Sequence, residues 1–351
     1  MKFLHIADVH LGANPKSGKA YSENRGKEIW NSFSQVIEVC EKESVDLLLI
    51  AGDLFHRQPL LRELKEVNYL FSTLTKTQVV LIAGNHDYIK RDSYYRTFEW
   101  SENVRPLLGE KMGIVELPEL ETCVYGFSYY RKEIPEPLYE EVHPAGKEKY
   151  EILLAHGGDE RCIPIKKNKL AALGFSYVAL GHIHKPEELV KNSVAYAGAL
   201  EPLDKNETGR HGYILGEINE RGTRITFVPQ AKREYVHLEI EVNENMTALS
   251  LKETVKTTLE QCGVQNLYQL ILKGFRDPDI LFDLDILDMY GNVLEVLDES
   301  YPAYHFEKLK AQNEDNLLGR YIESFDQTQL GSLEKQALYE GVQALLMTKR
   351  G

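Results

Sequence analysis

Short apolar runs recur through the first half of the chain, each stopped by glycine or by a polar cluster: residues 3–7, 45–50, 79–82, 152–154 and 177–180. Such runs predict strands buried on both faces, because a half-exposed strand alternates apolar with polar positions. Between the first two, Ile29, Trp30, Phe33, Ile37 and Cys40 fall on one stripe at helical spacing, so a helix there would cover the sheet. Strand alternating with helix predicts parallel pairing and an α/β fold. In sheets of that kind ligands bind beyond the carboxyl ends of the strands.

Beyond residue 230 the pattern changes. Residues 237–242 alternate as a half-exposed strand, a helical stretch runs from Leu249 to about Cys262, and residues 267–272 and 293–297 supply further strands. A small α+β domain over 234–300 is expected. A polar stretch, 308–316, then reads as a linker. It leads into two stripes, Leu317, Leu318, Tyr321, Ile322 and Phe325, then Leu330, Leu333, Leu338, Val342, Leu345 and Leu346. Both predict amphipathic helices, which by default pack on the chain's own domains. The expected division is 1–233, 234–300 and 301–351.

Composition narrows the class of protein. At 351 residues the chain exceeds one comfortable core, in keeping with one large domain and smaller additions. No apolar run approaches the ~20 residues that span a bilayer, and Met1-Lys2-Phe3-Leu4 runs straight into the first strand rather than into a cleavable leader. A cytoplasmic protein with no membrane contact is expected. Cys40, Cys123, Cys162 and Cys262 lack C-x-x-C spacing and are expected as small core hydrophobes.

The polar chemistry sits where the apolar runs stop: Asp8-Val9-His10, Gly52-Asp53, Gly84-Asn85-His86-Asp87, His156-Gly157 and Gly181-His182-Ile183-His184. Asp8 and His10, two apart, project to the same side of an extended segment. Asp53 offers a carboxylate able to bridge two cations, and Asn85 a neutral carbonyl oxygen. His86 is free to stay outside a metal shell, where it would protonate a leaving oxygen or stabilise transition-state charge. Asp87 is expected to hold the other ring nitrogen of His86 and fix its tautomer. Singly, each motif has an ordinary reading as a turn, a cap or a surface pair. Together, with His156, His182 and His184, they make the inventory of a two-metal hydrolase. Carboxylate, amide and imidazole without thiolate suit manganese, iron or zinc and do not choose among them.

A net charge of −13 argues against a polyanionic substrate. Yet cations follow the motifs: Lys16 and Lys19, Arg57 and Arg62, Lys90, Arg91 and Arg96, Arg131 and Lys132, Lys166, Lys167 and Lys169, then Lys185. Two readings stand, a locally positive rim or ordinary solvated loops. Tyr129, Tyr130 and Arg131 likewise either stack on unpaired bases or, for the tyrosines, pack in the core.

The ordered series D-x-H, G-D, G-N-H-D, H-G and G-H-x-H resembles the calcineurin-like metallophosphoesterase superfamily. Within it, residues 4–12, 51–56 and 82–87 resemble the bacterial SbcD nucleases, relatives of the meiotic recombination eleven nuclease. Residues 196–202 resemble that family's Y-x-G-S-L-E segment, with Ala199 in place of the usual Ser. The resemblance is strong to about residue 230, and the shorter tail points to the YhaO-like branch.

The resemblance implies a four-layer fold, with two central mixed sheets flanked by helices, a capping domain that selects DNA ends, and C-terminal helices. It further implies that Asp8, His10, Asp53 and His184 bind one metal, and Asp53, Asn85, His156 and His182 a second, with manganese favoured. His86, backed by Asp87, would assist the leaving group. His56 matches a second histidine of the nuclease branch, absent from generic phosphatases, that helps orient the DNA phosphate. Arg57, Lys90, Arg91, Tyr130 and Arg131 are candidate DNA contacts. The implied function is a DNA exonuclease working in double-strand-break repair with an SMC-like ATPase docked on the C-terminal helices; a homodimer is compatible with it. The competing reading is a small-molecule phosphodiesterase or phosphatase.

Overall fold

The computed structural model describes residues 1–15, 20–325 and 330–349. The apolar runs become strands: β1 (Lys2–Ile6), β2 (Leu47–Ala51), β3 (Gln78–Ile82) and the short β4 (Val104–Pro106) pair in parallel in that order. Helices α1 (Arg25–Lys42) and α2 (Leu61–Ser72) join the first three. A second sheet holds β5 (Gly113–Leu117), β6 (Thr122–Gly126), β7 (Tyr150–His156), β8 (Tyr177–Gly181), β9 (Glu187–Val190) and β10 (Val194–Tyr196), in the order β5-β6-β7-β8-β10-β9. Helix α3 (Lys167–Ala171) lies between β7 and β8, and the hairpin β11 (Gly212–Asn219) and β12 (Gly222–Pro229) returns to pair antiparallel with β1. Both sheets are therefore mixed, and each is parallel at its centre.

Strand alternation sorts the side chains into layers. Phe3, Leu47, Leu49, Val80 and Ile82 meet Val124, Ile152, Leu154, Tyr177 and Ala179 in one buried cluster between the sheets. Leu4, Ile6, Leu48, Ile50, Val79 and Leu81 turn the other way, onto Ile29, Phe33, Ile37 and Cys40 of α1 and Leu64, Val67 and Phe71 of α2. The far side of the second sheet is covered by Tyr129, Ile134, Tyr139, Ile163 and Leu170. This is the expected four-layer arrangement. One polar pair interrupts the inter-sheet layer, His5 Nδ1 lying 3.0 Å from the Tyr177 hydroxyl; burial pushes the His5 imidazole down to about 3, so it is neutral.

Residues 196–202 brace the strand ends. The Tyr196 hydroxyl donates to the Gly157 carbonyl at 2.9 Å. Glu201 accepts from Ser32 Oγ at 2.6 Å and pairs with the fully buried Arg25 at 3.2 Å. Arg25 also pairs with Glu28 at 2.6 Å, and Arg233 grips the same Glu28 at 2.8 Å. The Glu of this segment is thus a structural anchor tying α1 to two distant loops.

The chain divides into two units, Met1–Val236 and His237–Gly351. In the second, β13 (Tyr235–Val242), whose first two residues precede that boundary, joins β14 (Leu267–Arg276), β15 (Val293–Asp298) and β16 (Tyr301–Pro302) in a sheet beside α4 (Ala248–Cys262). Part of the stretch expected as a linker is instead helix α5 (Phe306–Ala311), because Phe306 and Leu309 have apolar neighbours to pack on. Leu318 and Ile322 of α6 (Leu317–Glu323) and Leu338 and Val342 of α7 (Ser332–Lys349) bury one another. Leu317 and Leu333, assigned to these stripes from the sequence, lie off the buried face and are 68% and 78% exposed. Cys40, Cys123 and Cys162 are buried as expected, whereas Cys262 ends α4 exposed. Among the described residues no helix is long and apolar enough to cross a membrane.

Candidate metal centre

All five motifs lie at carboxyl ends of central strands, three from the first sheet and two from the second. After β1 the chain runs beside the turn that follows β2: Asp8 N donates to Gly52 O at 3.1 Å and His10 N to Asp53 O at 3.0 Å. His86 N donates to Asp53 Oδ1 at 2.8 Å, and His182 N to Asp8 Oδ2 at 2.9 Å. Neighbouring turns therefore hold one another's carboxylates.

These turns are strained. Asp8, His10, Asp53 and His182 adopt φ of 50°, 52°, 50° and 95°, four of the eight non-glycine positive values among the described residues. Each costs on the order of 1–3 kcal/mol and persists only where the surroundings over-determine it. Two glycines make room for the result. A Cβ on Gly52, itself at φ +89°, would stand 2.4 Å from His156 Nδ1, and one on Gly84 would stand 2.3 Å from Asp53 Oδ1.

The side chains gather in two overlapping groups. His10 Nε2 lies 3.0 Å from His184 Nε2 and 3.9 Å from Asp53 Oδ2, with the buried Asp8 alongside. Asn85 Oδ1 lies 2.9 Å from His156 Nε2 and 3.0 Å from His182 Nδ1, and His156 Nε2 is 3.5 Å from Asp53 Oδ2. All seven residues proposed from the sequence as ligands are brought together, and Asp53 touches both groups. His156 Nδ1 donates to the Ala51 carbonyl at 2.8 Å, which leaves Nε2 pointing inward.

Burial acts to lower the His156 and His184 imidazoles, but Asp53 and Asp8 beside the first and Glu207 and Asp8 beside the second outweigh it and push both up to about 9. Burial pushes the Asp8 carboxyl up. Burial acts on Asp53 in the same sense, but His156 and His10 outweigh it and hold that carboxyl well below the usual range. Among the described residues no lysine or arginine pairs with either. Ring nitrogens and an amide oxygen converge at hydrogen-bond distance beside two buried carboxylates, close enough for each group to share one ion. That donor set fits divalent metal ions.

His56 and His86 stand at the edge. His56 is exposed, its Nδ1 3.4 Å from His10 Nδ1; His86 is half-buried, its Nδ1 3.1 Å from the His56 carbonyl. The expectation that Asp87 holds the His86 ring is incorrect. Asp87 is fully buried and accepts instead from Gly84 N at 2.8 Å, Phe55 N at 3.2 Å and Tyr95 Oη at 2.9 Å. Those donors face the core, so the carboxylate turns away from the imidazole and closes the turn beneath it.

The cations that follow the motifs, read either as a positive rim or as solvated loops, are partly paired. Arg57 forms a two-pronged pair with Glu63, one guanidinium nitrogen of Arg131 donates to both oxygens of Glu136, and Lys166 pairs with Glu140. Lys90 lies 5.8 Å from the Tyr88 ring, Arg91 is exposed, and Tyr130 is half-buried beneath Arg131. Tyr129 belongs to the core, donating to the His156 carbonyl at 3.1 Å. Lys16 and Lys19 lie outside the described residues.

Two carboxylates escaped the sequence reading. Asp159 Oδ2 lies 2.8 Å from His182 Nε2, and Glu207 Oε1 lies 2.7 Å from His184 Nδ1. Neither stands in a motif, although Asp159 follows His156-Gly157-Gly158 directly.

Comparison with known proteins agrees with this geometry. The family model for calcineurin-like phosphoesterases matches residues 1–186. Among curated relatives, the metallophosphoesterase YhaO of Bacillus subtilis is 28% identical over 78% of this chain and 72% of its own length. The DNA double-strand break repair protein Mre11 of Archaeoglobus fulgidus is 29% identical over 95% and 80%. The SbcD component of the nuclease SbcCD from Staphylococcus epidermidis is 25% identical over 96% and 97%. The family match covers more than half of the chain and includes every clustered Asp, Asn and His named above as a ligand. The protein accordingly belongs to the calcineurin-like phosphoesterase family, as a metal-dependent hydrolase of phosphoric esters.

Proposed function

We propose that the centre hydrolyses phosphodiester bonds in DNA, as an exonuclease, and that the protein works in double-strand-break repair. The observation that carries this is His56, set against His10 and His86 at the exposed edge of the centre. Nuclease relatives aligned over nearly the whole chain support it.

Asp8, His10, Asp53 and His184 would hold one divalent ion, and Asp53, Asn85, His156 and His182 the other. Manganese is favoured, and iron or zinc would also fit the donors. When bound, such ions polarise phosphoryl oxygens and neutralise their charge. His86, its Nδ1 tied to the His56 carbonyl, presents Nε2 to the substrate and gives a proton to the leaving sugar oxygen. His56 supplies a second ring nitrogen to a phosphate oxygen. Asp87 serves as a structural support rather than a proton relay.

Residues 234–300 serve as the capping domain that selects DNA ends. The C-terminal helices, whose inner faces are already packed on each other, would offer their outer residues, Leu317, Leu333 and Met347, to an SMC-like ATPase. A cytoplasmic homodimer completes the proposal.

One observation favours the alternative of a small-molecule phosphodiesterase or phosphatase. Acidic partners tie up Arg57, Arg131 and Lys166, in a chain of net charge −13. A panel of linear duplex DNA, single strands, cyclic nucleotides and a generic phosphodiester, run with manganese, separates the two. Duplex degradation that His56→Ala abolishes supports the nuclease. Turnover of small diesters alone rejects it.

A further inference from the structure

His182 and His184 stand two residues apart after β8, yet they face the centre with different atoms. His182 turns Nδ1 inward, 3.0 Å from Asn85 Oδ1, and its Nε2 outward to Asp159. His184 turns Nε2 inward, 3.0 Å from His10 Nε2, and its Nδ1 outward to Glu207. An imidazole next to a carboxylate keeps its proton on the nitrogen that faces the carboxylate, which leaves the opposite lone pair free for a metal.

Both carboxylates are themselves held. Asp159 Oδ1 accepts from Arg161 N at 2.7 Å and Cys162 N at 2.8 Å, so the acid cannot swing away without opening its own turn. Glu207 Oε2 accepts from Leu203 N at 2.8 Å. The two anchors differ in exposure, with the Asp159 side chain 51% exposed and that of Glu207 19%. Water competes with the first contact far more than with the second.

We infer that Asp159 and Glu207 are positioning residues that select opposite ring nitrogens of His182 and His184, so that one short turn serves two different metal ions. Glu207, less exposed to water, is the stronger selector. The inference rests on the reading of this centre as a two-metal site.

The test uses the full-length chain and a readout other than turnover. Titration with Mn2+ should find two sites in the wild-type protein. Glu207→Gln and Asp159→Asn should each weaken one of them by about 10- to 100-fold, Glu207→Gln more. In the zinc-loaded protein, nitrogen-15 correlation spectra should show protonated Nε2 on His182 and protonated Nδ1 on His184. Two wild-type Mn2+ sites left unchanged by both substitutions, or the same nitrogen protonated on both rings, would overturn this inference alone. A wild-type chain that takes up no Mn2+ would overturn the metal-site reading along with it. If a variant does not fold, the wild-type spectra decide.

Discussion

His56 and His86 form a stacked pair, their ring centroids 5.2 Å apart and their planes inclined by 28°. His86 is anchored by the backbone of His56, not by its side chain. Removing the His56 ring therefore leaves the His86 anchor in place, and the two substitutions should separate. His86→Ala should keep both metals, measured by titration, and lose about 10²- to 10⁴-fold in kcat. Full turnover in His86→Ala would remove it as the proton donor. His56→Ala should lose more on duplex DNA than on a generic phosphodiester.

Asp87 gives a stability prediction rather than a kinetic one. Its three buried donors, Gly84 N, Phe55 N and Tyr95 Oη, would be orphaned in Asp87→Ala. One unsatisfied buried group costs about 1–3 kcal/mol, so the urea midpoint should fall clearly. An unchanged midpoint with a large loss of kcat would restore the proton-relay role that the geometry denies it.

Gly52→Ala should damage the centre without replacing a ligand. Its Cβ is directed at His156 Nδ1, and the site also requires φ +89°. Either the turn or the His156 ring must give way, so Mn2+ affinity should drop in calorimetry. Wild-type affinity in this variant would show that the turn has slack the packing does not suggest.

These glycines mark the limit of what sequence reading resolves. The central strands and the ligands at their ends were legible because apolar runs and Asp, Asn and His are distinctive at short range. The destination of Asp87 was not, because it depends on Tyr95, eight residues on, and on Phe55, on another turn. Asp159 and Glu207 were missed for the same reason: each meets its histidine 23 residues away, and no pattern encodes that distance. Helix α5 was hidden because Phe306 and Leu309 become an apolar face only once α6 and α7 are beside them.

The Glu28 network predicts a pH dependence. Burial pushes the Glu28 carboxyl up, but hydrogen bonds from Arg233 and Arg25 outweigh it and hold the group below its ordinary value. A carboxyl lowered in the fold contributes stability above its unfolded pKa, ~4.3, and loses it as pH falls through the folded value. Arg233→Ala should therefore cost about 1.5–3 kcal/mol at pH 7. The difference from wild type should shrink in urea unfolding below pH ~4. A gap that stays constant into acid would mean that Arg233 acts by packing alone.

Asp8, His10, Asp53 and Asn85 follow strands of the first sheet, whereas His156, His182 and His184 end or follow strands of the second. Each proposed ion draws donors from both. A chain with one sheet formed, or with the two sheets slipped by a single residue, completes neither set of four, since the first sheet supplies three donors to one proposed ion and two to the other. Metal uptake at the proposed sites would thereby act as a proofreading signal for assembly, since only a molecule whose two halves have found their register would become chemically competent.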